Sequence, residues 1–267
     1  MVRLALAVGA VTLATGACRA ASPEPAAFPP VALVDLSHAF DEDTIYWPTS
    51  ERFRLDIVSE GVTPGGYYYA ANNLFTAEHG GTHLDAPIHF SAGGSTTGEI
   101  PLDRLVGGAV VIDVEAQAER DADYQVTTDD LTAWEREHGP IPSEAIVLIR
   151  TGFSRRWPDA ERYLGTAERG EAAVAQLHFP GLHPNAAAWL VANRSIGAIG
   201  IDTASIDFGQ STLYESHRTL FANEIPAFEN LTALGRLPPT GAFVAALPMK
   251  IARGSGGPLR AVAMLPE

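Results

Sequence analysis

The chain has 267 residues, enough for one large domain with a sizeable core, and its 46% apolar and 19% charged residues exclude both a disordered chain and one that spans a membrane throughout. Acidic residues outnumber basic ones 32 to 18, a net charge of −14, which excludes the basic footprint of a nucleic-acid binder and a polybasic membrane patch. The single cysteine, Cys18, excludes an intrachain disulfide and a cysteine-built zinc site.

In chain order, Arg3 and a small apolar run over 4–13 read as an export signal, because the run is too short to cross a bilayer. The small residues Ala14-Thr15-Gly16-Ala17 before Cys18 predict a lipoprotein box with Cys18 as a lipid anchor; cleavage near Ala20 or Ala21 competes with it. We therefore assign 1–21 as a signal peptide or lipoprotein leader, 22–30 as a Pro-rich tether, and 31–267 as one domain of an exported, periplasmic or membrane-anchored protein. Apolar runs predict buried strands over 31–36, 109–114, 145–150, 196–201, 242–247 and 259–265. Between them, Thr128-Asp129-Asp130 opens a helix that Gly139-Pro140 stops. Pro184 opens a second helix to about 193, and a third is expected over 167–176. Strands mixed with helices predict an α/β domain, and no phosphate-binding glycine motif follows the first strand.

The chemistry concentrates in two clusters. His79, His83, Asp85 and His89 fall within eleven residues. Gly80, Gly81 and Pro87 oppose a regular helix there, so a loop or strand edge wrapped round a cation is expected. Imidazole and carboxylate suit zinc, manganese or iron; a polar turn or a hydrogen-bonded core network remains the alternative. The second cluster, His217, Glu224 and Glu229, by itself reads as solvated surface. His38 reads as buttressing a strand end and His138 as complementing a helix terminus; Asp202 and Asp207 either orient ligands or satisfy strand ends. There is no Gly-x-Ser-x-Gly elbow, so a covalent acyl-enzyme is not expected.

His79-x-Gly81-Thr82-His83-x-Asp85-x-Pro87-x-His89 resembles the signature of the putative cyclase family, which includes bacterial kynurenine formamidase and isatin hydrolase. Trp47-Pro48, the Gly200-Ile201-Asp202-Thr203 stretch, the pair His217 and Glu229 with Asn230-Leu231, and Gly254-Ser255-Gly256 are similar to its further motifs, in order along the chain. The resemblance implies a compact α/β domain with a central mixed, barrel-like sheet flanked by helices, usually a homo-oligomer (dimer or tetramer). It implies His79, His83 and Asp85 as ligands of one metal ion, zinc or manganese. Asp85 would bridge to a second ion held by His217 and Glu229. His89 would be the general acid/base and Trp47 would line the pocket for a small-molecule substrate. The expected reaction is hydrolysis of an isatin-like lactam or an N-formylkynurenine-like arylformamide. The alternatives are a metal-binding surface protein without turnover, or a lyase or cyclase acting on a small ring.

Overall fold

The computed structural model describes residues 31–266. The leader, the tether and Cys18 lie outside the described residues. The strands are β1 (Val31–Asp35), β2 (Arg54–Val62), β3 (Tyr68–Phe75), β4 (His83–Asp85), β5 (Val106–Asp113), β6 (Gln125–Val126), β7 (Ile146–Arg150), β8 (Gly181–Leu182), β9 (Ala198–Ile201), β10 (Ala227–Glu229), β11 (Ala242–Pro248) and β12 (Gly256–Pro266). The helices are α1 (Glu115–Ala118), α2 (Thr128–His138), α3 (Ala160–Leu164), α4 (Glu171–Val174), α5 (Pro184–Arg194) and α6 (Glu215–Phe221).

One sheet runs β12-β11-β5-β7-β9-β10-β4 and closes when β4 returns to pair with β12, giving a seven-stranded mixed barrel. The closure works because β12 is eleven residues long. One edge of it takes β4 at Gly256 to Pro258 and then β1 at 262–266, while the other edge takes β11. β5, β7, β9 and β10 run parallel, and their alternate residues serve two cores. Ala109, Val111, Ile146, Leu148, Ala198 and Phe228 fill the barrel with Ala242, Ala246, Ala261 and Ala263. These small side chains suit a narrow interior. Val110, Ile112, Val147, Ile149, Ile199 and Ile201 face the other way, onto Leu131 and Trp134 of α2, Leu190 of α5, and Leu220 and Phe221 of α6.

The predicted strands and the first two helices appear within a few residues of their expected bounds. α2 carries a full capping box between Thr127 and Asp130 and ends at Gly139. The helix expected over 167–176 shrinks to the four residues of α4, because Gly170 delays its start and the chain turns at Ala175 toward the buried Leu177 and Phe179. No helix among the described residues is long and apolar enough to cross a membrane.

Candidate metal centre

The site is built on the outer face of the barrel, where β4 meets β10. Their antiparallel register sets Glu229 directly opposite His83 and Ala227 opposite Asp85. Paired residues share a face, and residues two apart on a strand share it too. His83, Asp85 and Glu229 therefore project together, while Leu84 and Phe228 turn into the barrel core. Glycines let the surroundings close in. A Cβ on Gly80 would lie 2.0 Å from the Tyr46 ring, and Gly81 needs its φ of 58° to turn the chain into β4.

α6 supplies His217 from the helical side. Asp207 receives the Ser216 and His217 backbone N–H groups, both at 3.1 Å, and so caps the helix. The same carboxylate holds the His217 Nδ1 at 2.6 Å. That contact turns Nε2 toward Asp85 and Glu229, 3.2 Å from an oxygen of each. His83 is oriented likewise: its Nδ1 meets the Gly81 carbonyl at 2.9 Å, and its Nε2 lies 3.0 Å from Asp85 Oδ1 and 3.4 Å from Glu229 Oε2. His79 offers Nδ1 to Asp85 Oδ1 at 2.6 Å, with its Nε2 on Ser255 Oγ at 2.9 Å, and Ser255 Oγ bonds Glu78 at 2.7 Å. His89, at the end of a 3₁₀ turn opened by Pro87, stacks on His79 with ring centroids 3.8 Å apart.

The charge balance shows what this cluster suits. Burial alone would depress His83 and His217, yet the facing carboxylates overcome it. His83 rises to about 9, and His217 is held well above the usual imidazole range by Asp207, Asp85 and Glu229. Burial would raise Asp85, yet His79 and His83 hold it well below the usual carboxylate range. Glu229 is pushed up by burial and by repulsion from Asp85. Two buried carboxylates thus draw protons onto the imidazoles facing them, the place a cation would fill. Nitrogens aimed inward, with their other ring positions anchored outward, are what a metal-ligating histidine needs. The donor atoms of His83, Asp85 and Glu229, and separately those of His79, Asp85 and His89, lie within 4.8 Å of one another. These residues fit a divalent cation.

The cluster floors a cavity of about 280 Å³. Ile45, Tyr46, Trp47, Phe90 and Tyr214 wall it, and Trp47 and Phe90 flank the Tyr214 ring at 6.4 and 5.2 Å. The site accepts a small, flat, largely apolar molecule with a polar end toward the histidines.

The profile of the putative cyclase family matches residues 34–208. The chain belongs to this family. The isatin hydrolase of Roseibium aggregatum is 33% identical over 210 residues, covering 76% of this chain and 77% of the relative. The kynurenine formamidase of Salinibacter ruber is 29% identical over 242 residues, covering 87% of this chain and 97% of the relative. Among solved structures, isatin hydrolase A from Ralstonia solanacearum superposes with a TM-score of 0.80 at 34% identity, covering 88% of this chain and 92% of that one.

Trp47, His79, His83, Asp85, His89, His217 and Glu229, singled out in the sequence, all line this one cavity. His217 and Glu229, read on their own as solvated surface, are instead 2% and 3% exposed. Glu224 stays outside the cluster and accepts the Ser95 N–H. The two aspartates separate: Asp207 orients His217, whereas Asp202 accepts the backbone N–H groups of Thr151 and Gly152 and serves the fold. Sequence reasoning missed Ile45, Tyr46, Phe90 and Tyr214 as walls and Glu78 as the support of Ser255. Phe90 follows His89 directly and Tyr214 precedes His217 by one helical turn, so spacing could have flagged both.

Two predictions arise here. Asp207→Ala frees the His217 ring, and metal affinity falls by about 10–100-fold; titration against a competing chelator reads it directly. His38 sits outside the cavity, stacked on Trp157 at 4.2 Å, with a buried Nε2 that has no hydrogen-bond partner. Burial, only partly opposed by Asp35, pulls its imidazole down from 6.5 to about 4. Between those values the unfolded chain binds the proton and the folded chain does not, so stability is full above pH 6.5 and falls as the pH drops toward 4. The loss reaches about 3 kcal/mol at most. In His38→Phe, urea midpoints at pH 7 and pH 5 lie closer together than in the unaltered protein.

Proposed function

We propose that the chain is a metal-dependent amidohydrolase that cleaves the C–N bond of a small cyclic or N-acyl amide, either an isatin-like lactam or an N-formylkynurenine-like arylformamide. The observation that carries this reading is the convergence of buried His83, Asp85, His217 and Glu229 at the floor of an aromatic-walled cavity. Relatives named isatin hydrolase and kynurenine formamidase support the substrate class.

His79, His83 and Asp85 would hold one ion, with His217 and Glu229 completing a second position. In support, Asp85 Oδ1 faces His79 and His83 while Oδ2 faces His217. Imidazole with carboxylate suits zinc or manganese. A divalent cation supplies acidified water at neutral pH and positive charge for the carbonyl oxygen. His89 handles the proton. Burial, chiefly, lowers its imidazole to about 4, so at neutral pH it is free to accept a proton from water and pass it to the leaving nitrogen. Trp47, Phe90 and Tyr214 hold the flat substrate and exclude bulk water. Export, supported by Arg3 and the apolar run over 4–13, would direct the enzyme at molecules outside the cytoplasm.

The test is hydrolysis of isatin and of N-formylkynurenine with added zinc or manganese, against a chelator control. Chelator-sensitive turnover of either supports the reading and selects the substrate branch. No turnover of either by metal-loaded protein overturns both named substrates and moves the assignment to the binding or lyase readings.

A further inference from the structure

The aromatic walls of the cavity stand on different footings. Tyr214 immediately precedes α6 and Phe90 closes the 3₁₀ turn after β4, so regular structure places both. Trp47 has no such support: between β1 and β2 the chain forms no helix or strand, only isolated bridges at Ser37 and Tyr46. Its ring meets Phe179 edge-on at 6.4 Å. Its backbone opens a tight turn. Pro48, a residue favoured at the second place of a β-turn, follows it, and the Ser50 N–H donates to the Trp47 carbonyl at 2.9 Å. Trp47 and Ser50, the two ends of this turn, both line the cavity.

The turn is held from behind by the segment that joins α3 to α4. Arg169 donates Nη1 to the Trp47 carbonyl at 3.4 Å and Nη2 to the Ser50 carbonyl. The Gly170 N–H donates to the Pro48 carbonyl at 3.0 Å. Three of the turn's four carbonyls therefore end on two consecutive residues, and a planar guanidinium fork suits two acceptors at once. The chain has 32 acidic residues, yet among the described residues no carboxylate lies within 4.0 Å of Arg169. Burial, then repulsion from Arg52, pulls its pKa below the usual guanidinium range, against a smaller pull from Glu51. Backbone carbonyls, not a counter-charge, hold this side chain in place. The segment itself is pinned at both ends by glycines of left-handed φ, 87° at Gly165 and 89° at Gly170. A Cβ on Gly165 would lie 2.8 Å from His178 Cβ, so the chain leaves α3 in one direction.

We propose that Arg169 is a positioning residue for the substrate: it clamps the Trp47–Ser50 turn and so fixes the Trp47 wall of the cavity without reaching the cavity itself. Arg169 lies instead on a smaller cavity of about 140 Å³ on the far side of the turn, beside Pro48, Arg52 and Glu168. That placement decides which step it serves. A turn released from the clamp spends part of its time with the wall out of place, and apparent substrate affinity falls by the fraction lost. The wall grips a flat ring equally before and during reaction, so the effect falls on KM and not on kcat. The metal-binding candidates stand on β4, β10 and α6, and Arg169 bonds to none of those elements. The kinetic consequence rests on the hydrolase reading; the placement of Trp47 does not.

The experiment compares the metal-loaded unaltered protein with Arg169→Gln, Arg169→Lys and Arg52→Gln. The last removes an equal charge from the same small cavity and leaves the bonds to the turn in place. Acrylamide quenching of tryptophan fluorescence is measured in each protein and again with Trp47→Phe added, so that the difference separates Trp47 from the other tryptophans of the chain's 4. In Arg169→Gln the Trp47 quenching constant rises about twofold or more, KM for isatin or N-formylkynurenine, whichever is turned over, rises about 3–10-fold, and kcat and metal content stay within about twofold. Arg169→Lys, which reaches one carbonyl, falls between, and Arg52→Gln matches the unaltered protein. Where Arg169→Gln loses its far-UV circular dichroism, Arg169→Lys gives the same reading. Unchanged Trp47 quenching overturns the clamp, as does a loss of kcat at unchanged KM. An equal rise of KM in Arg52→Gln assigns the effect to charge near the rim and overturns it too. If neither compound is turned over, the hydrolase reading falls while the quenching comparison still decides the clamp.

Discussion

Asp85→Asn loses bound metal and hydrolytic activity together while remaining folded. Asp85 is 2% exposed and pairs with all three of His79, His83 and His217. Asparagine keeps its size and removes its charge, so the local packing survives. Removing one member of a buried, charge-paired set costs about 3–5 kcal/mol, or roughly 10²–10⁴-fold in metal affinity. The apo proteins should differ far less in stability, because uncharging Asp85 also relieves its repulsion of Glu229. Metal content after dialysis, together with thermal unfolding of the apo and loaded forms, checks the result. An Asp85→Asn protein that keeps its metal after dialysis removes Asp85 from the ligand set.

The second large effect is expected at His89, where the variant should separate chemistry from binding. His89→Ala lowers turnover by about 10²–10⁴-fold, the range for loss of a positioned acid/base, and leaves metal content unchanged. The geometry makes this a sharp test. A His89 nitrogen also lies close enough to donors of His79 and Asp85 to serve as a ligand, while its ring stacks on His79 at 3.8 Å. If the variant loses metal in parallel with activity, His89 is a ligand and the proton passes elsewhere. If it keeps its full hydrolytic rate, the acid/base assignment is wrong. Loss of the stack should also loosen His79, so a modest rise in KM accompanies the main effect on kcat.

Much of the barrel was legible as linear pattern. Runs such as 145–149 and 196–201 are apolar at every position because parallel strands are covered on both faces, by the barrel interior and by the helices. α2 was legible because its start and stop are local chemistry, the Thr127–Asp130 box and Gly139. The short strands β4 and β10 were not, since three residues carry no period and their pairing with each other joins positions more than 140 apart. The hairpin of β2 and β3 was hidden for another reason: a bulge breaks its alternation, so apolar and polar residues no longer alternate cleanly along β2.

The sequence by itself determined that His79, His83, Asp85 and His89 lie close together, because eleven residues of chain cannot separate them far, and that glycine and proline among them oppose a regular helix. Only the tertiary structure decided where His217, Glu229 and Asp207 lie. Their neighbours along the chain look like surface, and burial is a property of what packs from elsewhere. The β4–β10 register sets Glu229 opposite His83, and the end of α6 turns His217 onto the same point. In that desolvated place, where charges are scarcely screened, side chains distant in sequence become one set whose donor atoms fit a cation.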